Sequence, residues 1–122
     1  MDDSNTTLRV LRTLLQEFRD KRDWEQFHDP KNLAEAISIE ASELMEHFLW
    51  KDRDKVIQEL KKNRGLREEV GEELADIFTF AIHFANAVDL DITSIIQDKV
   101  QKTEKKYPVD KSRGKTTKYT QL

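Results

Sequence analysis

The sequence predicts an all-α protein, and three observations lead to this fold class. Glycine and proline, which interrupt helices, number only three and two among 122 residues. Charged residues make up 37% of the chain, above the typical value of about 25%, as expected of helices with wide solvated faces. Apolar residues recur at helical spacing along four segments, and no segment alternates like a β-strand. We therefore expect a four-helix bundle with a short extra helix.

The first two helices are predicted over residues 6–21 and 30–50. Ser4 and Asn5 are the candidate caps of the first helix, since their side-chain oxygens can accept from its free N–H groups. Pro30 suits the first turn of the second helix, where its missing N–H leaves no hydrogen bond unmade. The aromatic segment between the two helices has no period, so we expect it to be irregular.

The third and fourth long helices are predicted over residues 67–88 and 92–106, with a short helix near residues 56–60 before them. The third is apolar over so wide an arc that it should contact two neighbours, at the centre of the bundle and at a subunit interface. The fourth should end at Tyr107-Pro108. We expect residues 1–108 to form one domain and residues 109–122 a basic tail.

Composition narrows the classes of function. The net charge of −3 argues against a nucleic-acid-binding protein, which normally carries a basic stripe. The absence of cysteine excludes disulfides and thiolate metal sites. No apolar run approaches the roughly 18 residues that a membrane-spanning helix needs, and the N-terminus lacks a signal-peptide core. We therefore expect a cytoplasmic protein that does not bind a membrane.

Acidic residues at helical spacing are the main candidate site. Glu40 and Glu43 are three residues apart and project from one side of the second helix. Glu40 borders the apolar stripe, where a carboxylate costs free energy unless a cation accompanies it. Asp76 is acidic on the third helix, and spacing alone leaves its partner open among three residues: Glu69, Glu72 and Glu73. A merely solvated acidic face is the competing interpretation.

The chemistry of these side chains favours a hard cation. Carboxylate oxygens without histidine or cysteine suit Mg²⁺ or Mn²⁺. A di-iron carboxylate bundle needs Glu-x-x-His on two helices. Only Glu25 and His28 have that spacing, and they lie in the irregular segment. Iron is therefore disfavoured.

Aromatic and basic residues suggest what such a cation would bind. Aromatic side chains flank the second helix at both ends, and they either cap the core or stack on a planar ligand: Trp24, His28 and Trp50. Asn32 is either a surface residue or a reader of a ligand's hydrogen-bonding edge. Lysines late in the fourth helix are either solvated or phosphate-binding: Lys99, Lys102, Lys105 and Lys106. Together these features suggest a nucleoside triphosphate.

The order of the motifs resembles the MazG-like branch of the all-α nucleoside triphosphate pyrophosphohydrolases, and within it the dCTP-pyrophosphatase type. The resemblance covers residues 22–122 and rests on an ordered series: Arg22-Asp23-Trp24-Glu25-Gln26-Phe27-His28, Pro30-Lys31-Asn32-Leu33, Glu40-Ala41-Ser42-Glu43-Leu44, Trp50-Lys51, Glu72-Glu73-Leu74-Ala75-Asp76, Lys105-Lys106-Tyr107-Pro108 and Lys118-Tyr119-Thr120-Gln121-Leu122. The family's tyrosine one turn after the last acid is Phe80 here, and its asparagine before the closing lysines is Thr103.

The resemblance implies Mg²⁺-dependent hydrolysis between the α- and β-phosphates of dCTP or a modified pyrimidine deoxynucleotide, for sanitation of the nucleotide pool. It implies four residues as metal ligands and catalytic groups: Glu40, Glu43, Glu73 and Asp76. It implies a substrate site built from Trp24, His28, Asn32, Trp50, Phe80, Lys99, Lys102, Lys106 and Tyr107. It also implies a homo-oligomer, more readily a tetramer than a dimer. The alternative is a non-catalytic nucleotide-binding or oligomerisation module of the same fold.

Overall fold

The computed structural model describes residues 1–122, and all of its regular secondary structure is helical. Its six α-helices are α1 (Leu8–Asp20), α2 (Pro30–Glu46), α3 (Arg53–Lys62), α4 (Arg64–Ala87), α5 (Ile92–Lys106) and α6 (Val109–Ser112). Single 3₁₀ turns occupy Glu25–Phe27 and Tyr119–Gln121. The all-α prediction is confirmed. None of the helices is long and apolar enough to cross a membrane.

The chain divides into two compact units, Met1–Asp89 and Leu90–Leu122. In the first unit α2 packs along α4 over the longest interface, and α1 and α3 also pack against α4. The wide apolar arc of α4 explains this arrangement, because a helix that is apolar on several sides can cover several neighbours. Within this unit α4 is the central helix, as its pattern predicted.

The first helix begins later than the sequence suggested. Thr7 caps α1, with its backbone extended and its hydroxyl accepting from the Val10 N–H at 3.4 Å. The expected caps Ser4 and Asn5 instead bond to Asp2 in a preceding turn. The prediction of these two caps was therefore wrong, because a local side-chain turn had already engaged both of them.

The second helix has the predicted start and an earlier end. The Asp29 carboxylate accepts from the Asn32 backbone N–H at 2.9 Å, and Pro30 occupies the first turn. The helix ends at Glu46 instead of near Trp50, and the chain turns over residues 47–50. At Trp50 the backbone is left-handed, with φ of 62°, which a helix cannot accommodate.

The next two helices are longer than expected because each has a side-chain cap. Asp52 accepts from two backbone N–H groups at the start of α3, which covers more than the predicted residues 56–60. Asn63 accepts from the Leu66 N–H, so α4 begins at Arg64 and not at residue 67. Both caps are residue types that favour this position.

The second unit contains α5 and a following segment that folds back onto the C-terminal end of α5. The rings of Tyr107 and Tyr119 meet edge to face, with centroids 5.8 Å apart. The Lys106 ammonium lies 4.7 Å from the centre of the Tyr119 ring. The Ser112 hydroxyl donates to the Pro108 carbonyl at 2.6 Å. Residues 109–122, which the sequence predicts to be a basic tail, contain two short helical segments, Val109–Ser112 and Tyr119–Gln121.

The core of the first unit is small for its helical content. The fully buried hydrophobic residues of the chain are Leu33, Ile82 and Ala85. Large apolar side chains on α2 and α4 stay exposed, among them Ile39 at 57% and Phe78 at 61%. An unpartnered apolar surface of this kind is typical of a chain that associates with another.

Candidate functional site

Several candidate site residues of the first unit lie along the interface of α2 and α4. Three close approaches join the α2 side to the α4 side: His47 to Glu73, Glu40 to Asp76, and His28 to His83. Residue numbers rise on one side as they fall on the other, so the two helices run antiparallel. An antiparallel pair of this register brings the predicted acidic positions of both helices to the same level.

Three carboxylates converge at that level. One oxygen from each of Glu40, Glu73 and Asp76 lies within 4.8 Å of the other two. The Glu40 and Glu73 side chains are half-buried, and Asp76 is exposed. A divalent cation with oxygen ligands at about 2.1–2.5 Å can bridge oxygens at this spacing. The cluster contains Glu73 and not its neighbour Glu72.

Glu43 lies one turn along α2 from Glu40 and next to the cluster. Burial raises the pKa of Glu40, and the charge of Glu43 and a hydrogen bond with it raise that pKa further. The charges of Asp76 and Glu73 act in the same direction. Negative charge is therefore crowded at Glu40, and a cation would relieve this repulsion. The donor set and its electrostatics fit a hard divalent ion.

His47 belongs to this site, and sequence reasoning missed it. Its Nε2 atom lies 3.6 Å from Oε1 of Glu73, and both side chains are largely buried. His47 is four residues after Glu43 and seven after Glu40, so it shares their side of α2. That spacing relative to Glu43 and Glu40 is the sequence signal that could have identified it. In this position it can orient the Glu73 carboxylate.

The predicted base-binding residues at the start of α2 form a local group. Trp24 is 43% exposed, and its ring meets the Phe18 ring edge to face at 5.8 Å. The Asn32 amide donates to the Asp29 carboxylate at 2.7 Å and to the Phe27 carbonyl at 3.3 Å. Asn32 therefore links the 3₁₀ turn to the first turn of α2 through these hydrogen bonds.

Trp50 lies apart from that group. It follows the C-terminal end of α2, whereas Trp24 and His28 precede its N-terminal end. A helix of 17 residues is about 25 Å long. Trp50 is 95% exposed. One chain therefore does not bring the three predicted aromatic residues together.

The remaining predicted substrate residues are divided between the units. Phe80 is half-buried on α4, one turn after Asp76. On α5, Lys99, Lys102 and Lys106 are exposed, and Tyr107, directly after the helix, is half-buried. Within the second unit a groove of about 270 Å³ is lined by Lys99, Val100, Thr103, Glu104 and Tyr107. This groove combines a cation with an apolar wall.

Comparison with known proteins shows which family this chain is similar to. The model of the MazG-like family matches residues 36–122, which include all four predicted acids. The chain belongs to the MazG-like family. The match begins within α2 and continues through the Tyr119–Gln121 turn.

Curated relatives agree with this MazG-like assignment. The chain is 38% identical over 119 residues to dCTP pyrophosphatase 1 of Bos taurus, covering 98% of this chain and 70% of the relative. It is 34% identical over 116 residues to dCTP pyrophosphatase 1 of Homo sapiens, covering 95% and 68%. The predicted enzyme class is confirmed: the protein is a nucleoside triphosphate pyrophosphohydrolase.

A solved structure shares the fold. A pyrophosphatase from Archaeoglobus fulgidus superposes on the chain with a TM-score of 0.77 at 35% sequence identity. The superposition covers 88% of this chain and 98% of the other. The shared fold therefore covers most of the chain.

Proposed function

We propose that this MazG-like enzyme uses Mg²⁺ to hydrolyse dCTP, or a modified pyrimidine deoxynucleoside triphosphate, to the monophosphate and pyrophosphate. The observation that carries the proposal is the convergence of Glu40, Glu73 and Asp76 within 4.8 Å. The names of the curated relatives support dCTP as the substrate. Mn²⁺ has the same oxygen preference and is the natural substitute ion in an assay.

Each acidic residue at the site has its own role in the proposed reaction. Glu40, Glu73 and Asp76 would hold the ion, which would offset negative charge on the α- and β-phosphates. Glu43, beside the cluster, accepts a proton from the attacking water. The water oxygen bonds to the α-phosphorus, and the bond from that phosphorus to the bridging oxygen breaks. Pyrophosphate leaves with the electron pair of that bond.

Four residues of the second unit are the proposed phosphate contacts. Lys99, Lys102 and Lys106 carry ammonium groups and Tyr107 a hydroxyl, which can donate to phosphate oxygens. The groove that Lys99 and Tyr107 line within the second unit supports this role.

In the proposed site, residues near the start of α2 and on α4 hold the nucleotide. A second chain completes the site. Trp24 stacks on the base, His28 contacts it, Asn32 contributes a polar edge, and Phe80 packs under the deoxyribose. The 95% exposure of Trp50 and its position at the far end of α2 support a role in the site of a neighbouring subunit. Exposed apolar residues of α2 and α4 support the same homo-oligomer, which we propose to be a tetramer.

Product analysis tests the reaction. Incubation with dCTP and Mg²⁺ in ¹⁸O-labelled water should give pyrophosphate without orthophosphate, and the label should appear in dCMP. Label in pyrophosphate would show attack at the β-phosphorus and contradict the proposal. Nucleotide binding without any product would favour the non-catalytic module.

Two pairs of variants test the site. Glu43→Gln and Asp76→Asn should abolish turnover and leave the helical circular dichroism signal unchanged. Glu73→Gln should be inactive as well, whereas Glu72→Gln, one residue away and outside the cluster, should retain activity. Equal activity of the Glu72 and Glu73 variants would overturn the assigned ligand set.

A further inference from the structure

A pair of histidines lies at the α4 interface outside the acidic cluster. His83 is 4% exposed, and its ring meets that of His28 with centroids 4.5 Å apart and planes at 69°. The Nδ1 atoms of both rings are buried without a hydrogen-bond partner. Buried polar atoms in native proteins are nearly always paired. Two unpaired nitrogens in contacting side chains therefore indicate an absent partner.

Both imidazoles have a pKa below the usual value for histidine. Burial lowers the pKa of His83 to about 4, and the proximity of His28 and Arg19 adds to this effect. Burial and the Arg19 charge lower the pKa of His28 as well. Arg19 is itself held by Asp20 at 2.6 Å. A neutral imidazole nitrogen can donate or accept according to its tautomer, whereas a nearby guanidinium disfavours a metal cation.

The histidine pair lies on the same side of α4 as the carboxylates. Glu73, Asp76, Phe80 and His83 follow one another at spacings of three, four and three residues. Seven residues separate Asp76 from His83, or about 10 Å along the helix axis. That distance is comparable with the reach from the phosphates of an extended nucleotide to the edge of its base.

We propose that His83 is a base-binding residue, and that its Nδ1 atom and that of His28 hydrogen-bond to the polar edge of the nucleobase. The inference rests on the proposed function, which places phosphates at the carboxylates and the base near His28. It adds a residue that lies 55 positions from His28 along the chain. It also explains why the protein keeps two unsatisfied buried nitrogens, since the substrate supplies their partner.

A matched pair of variants separates binding from packing. Leucine and asparagine are similar in size, but asparagine places a polar atom near the position of Nδ1. His83→Leu removes the unpaired nitrogen, so the free protein should melt no lower than the wild type. The same variant should bind nucleotide more weakly. A purely structural histidine would instead lose stability and binding together.

Kinetics with two substrates locate the effect at the base. We would compare dCTP with deoxyribose 5′-triphosphate, which lacks a base, in the presence of Mg²⁺. For His83→Leu the preference for dCTP over the base-free substrate, as a ratio of kcat/KM, should fall about tenfold, the value of one lost hydrogen bond. The loss should appear mainly in KM. His83→Asn should recover most of the preference.

The outcomes are distinct from those that test the proposed function. An unchanged preference in His83→Leu, or an equal loss for both substrates, would overturn the role of His83 while turnover continued. If the wild type did not turn over either substrate, calorimetry with the same two ligands would give the same comparison from binding. If His83→Leu failed to fold, His28→Leu and His28→Asn would provide the matched pair on the other ring.

Discussion

Glu40 is a partly buried carboxylate with three other acidic side chains close to it. Its pKa is raised first by burial and then by Glu43, Asp76 and Glu73. Glu40→Gln removes one charge from this group, so it should raise the melting temperature of the metal-free protein. The same change should abolish the rise in melting temperature that Mg²⁺ causes, because a ligand of the native state stabilises it.

Thermal melts with and without Mg²⁺ would measure both effects. Glu72→Gln is the control, since it removes the same charge outside the cluster and should keep the Mg²⁺-dependent rise. A Glu40→Gln protein that Mg²⁺ still stabilised as much as the wild type would refute the role of Glu40 as a ligand.

His83 predicts a dependence of stability on pH. Its pKa falls from 6.5 to about 4 on folding, so the unfolded chain binds a proton at a pH where the native protein does not. Above pH 6.5 both states are neutral and the residue contributes nothing. As the pH falls towards 4 the native state should lose up to about 3 kcal/mol relative to the unfolded state.

Urea unfolding at several pH values would measure this loss. In His83→Leu the free energy of unfolding should fall less between pH 7 and pH 4 than in the wild type, by up to that amount. Parallel curves for the two proteins would mean that His83 titrates normally.

At the scale of the helix, Asp29 fixes where α2 begins. Its carboxylate accepts from the Asn32 backbone at 2.9 Å and from the Asn32 amide at 2.7 Å. Asp29→Ala should therefore lower the free energy of unfolding by about 1 kcal/mol. Asp29→Asn, which keeps a capping oxygen, should lose much less, and denaturant unfolding would compare the two. Equal losses would show that the cap does not stabilise α2.

The packing of α2 on α4 sets the register of the site. Periodicity placed Glu40 and Glu43 on one side of α2 and Asp76 on α4, but it left Glu69, Glu72 and Glu73 as alternatives. The fold brings Glu73 to Glu40, with His47 behind it at 3.6 Å. Helical spacing describes one helix at a time and contains no information on how two helices align.

At the scale of the whole molecule, exposed Phe78 tests the proposed oligomer. This residue is 61% exposed on the central helix of the first unit. Phe78→Glu would place a charge in an apolar interface and should reduce the assembly to smaller species. Light scattering at micromolar concentration would measure the change. A wild-type monomer, or a variant with the wild-type mass, would contradict an interface at this position.

Trp50 tests whether two chains share a site. Trp50→Ala and Glu43→Gln should each have little activity alone. Mixed oligomers formed from both should regain part of it, because some sites then receive Glu43 from one chain and Trp50 from another. Complementation measured after co-refolding would show this, with each variant refolded alone as the control. No gain on mixing would place Trp50 outside the neighbouring site.

The sequence by itself determined the fold class, the long helices and the acidic and aromatic residue types, because these follow from local periodicity and composition. It also carried the family motifs, and the MazG-like match over residues 36–122 includes those from Glu40 onwards. The division into residues 1–108 and 109–122 stays a prediction. Helix ends were less certain, as at Ser4 and Trp50, since single caps and turns decide them.

Only the tertiary structure decided which of these residues meet. His28 and His83 are 55 residues apart, and Glu40 and Asp76 are 36 apart. Their approach depends on the antiparallel packing of α2 and α4, which burial of apolar faces along both helices produces. The same packing separated Trp50 from Trp24. The sequence thus determines which side chains are present. The packing of the helices determines which of them come into contact.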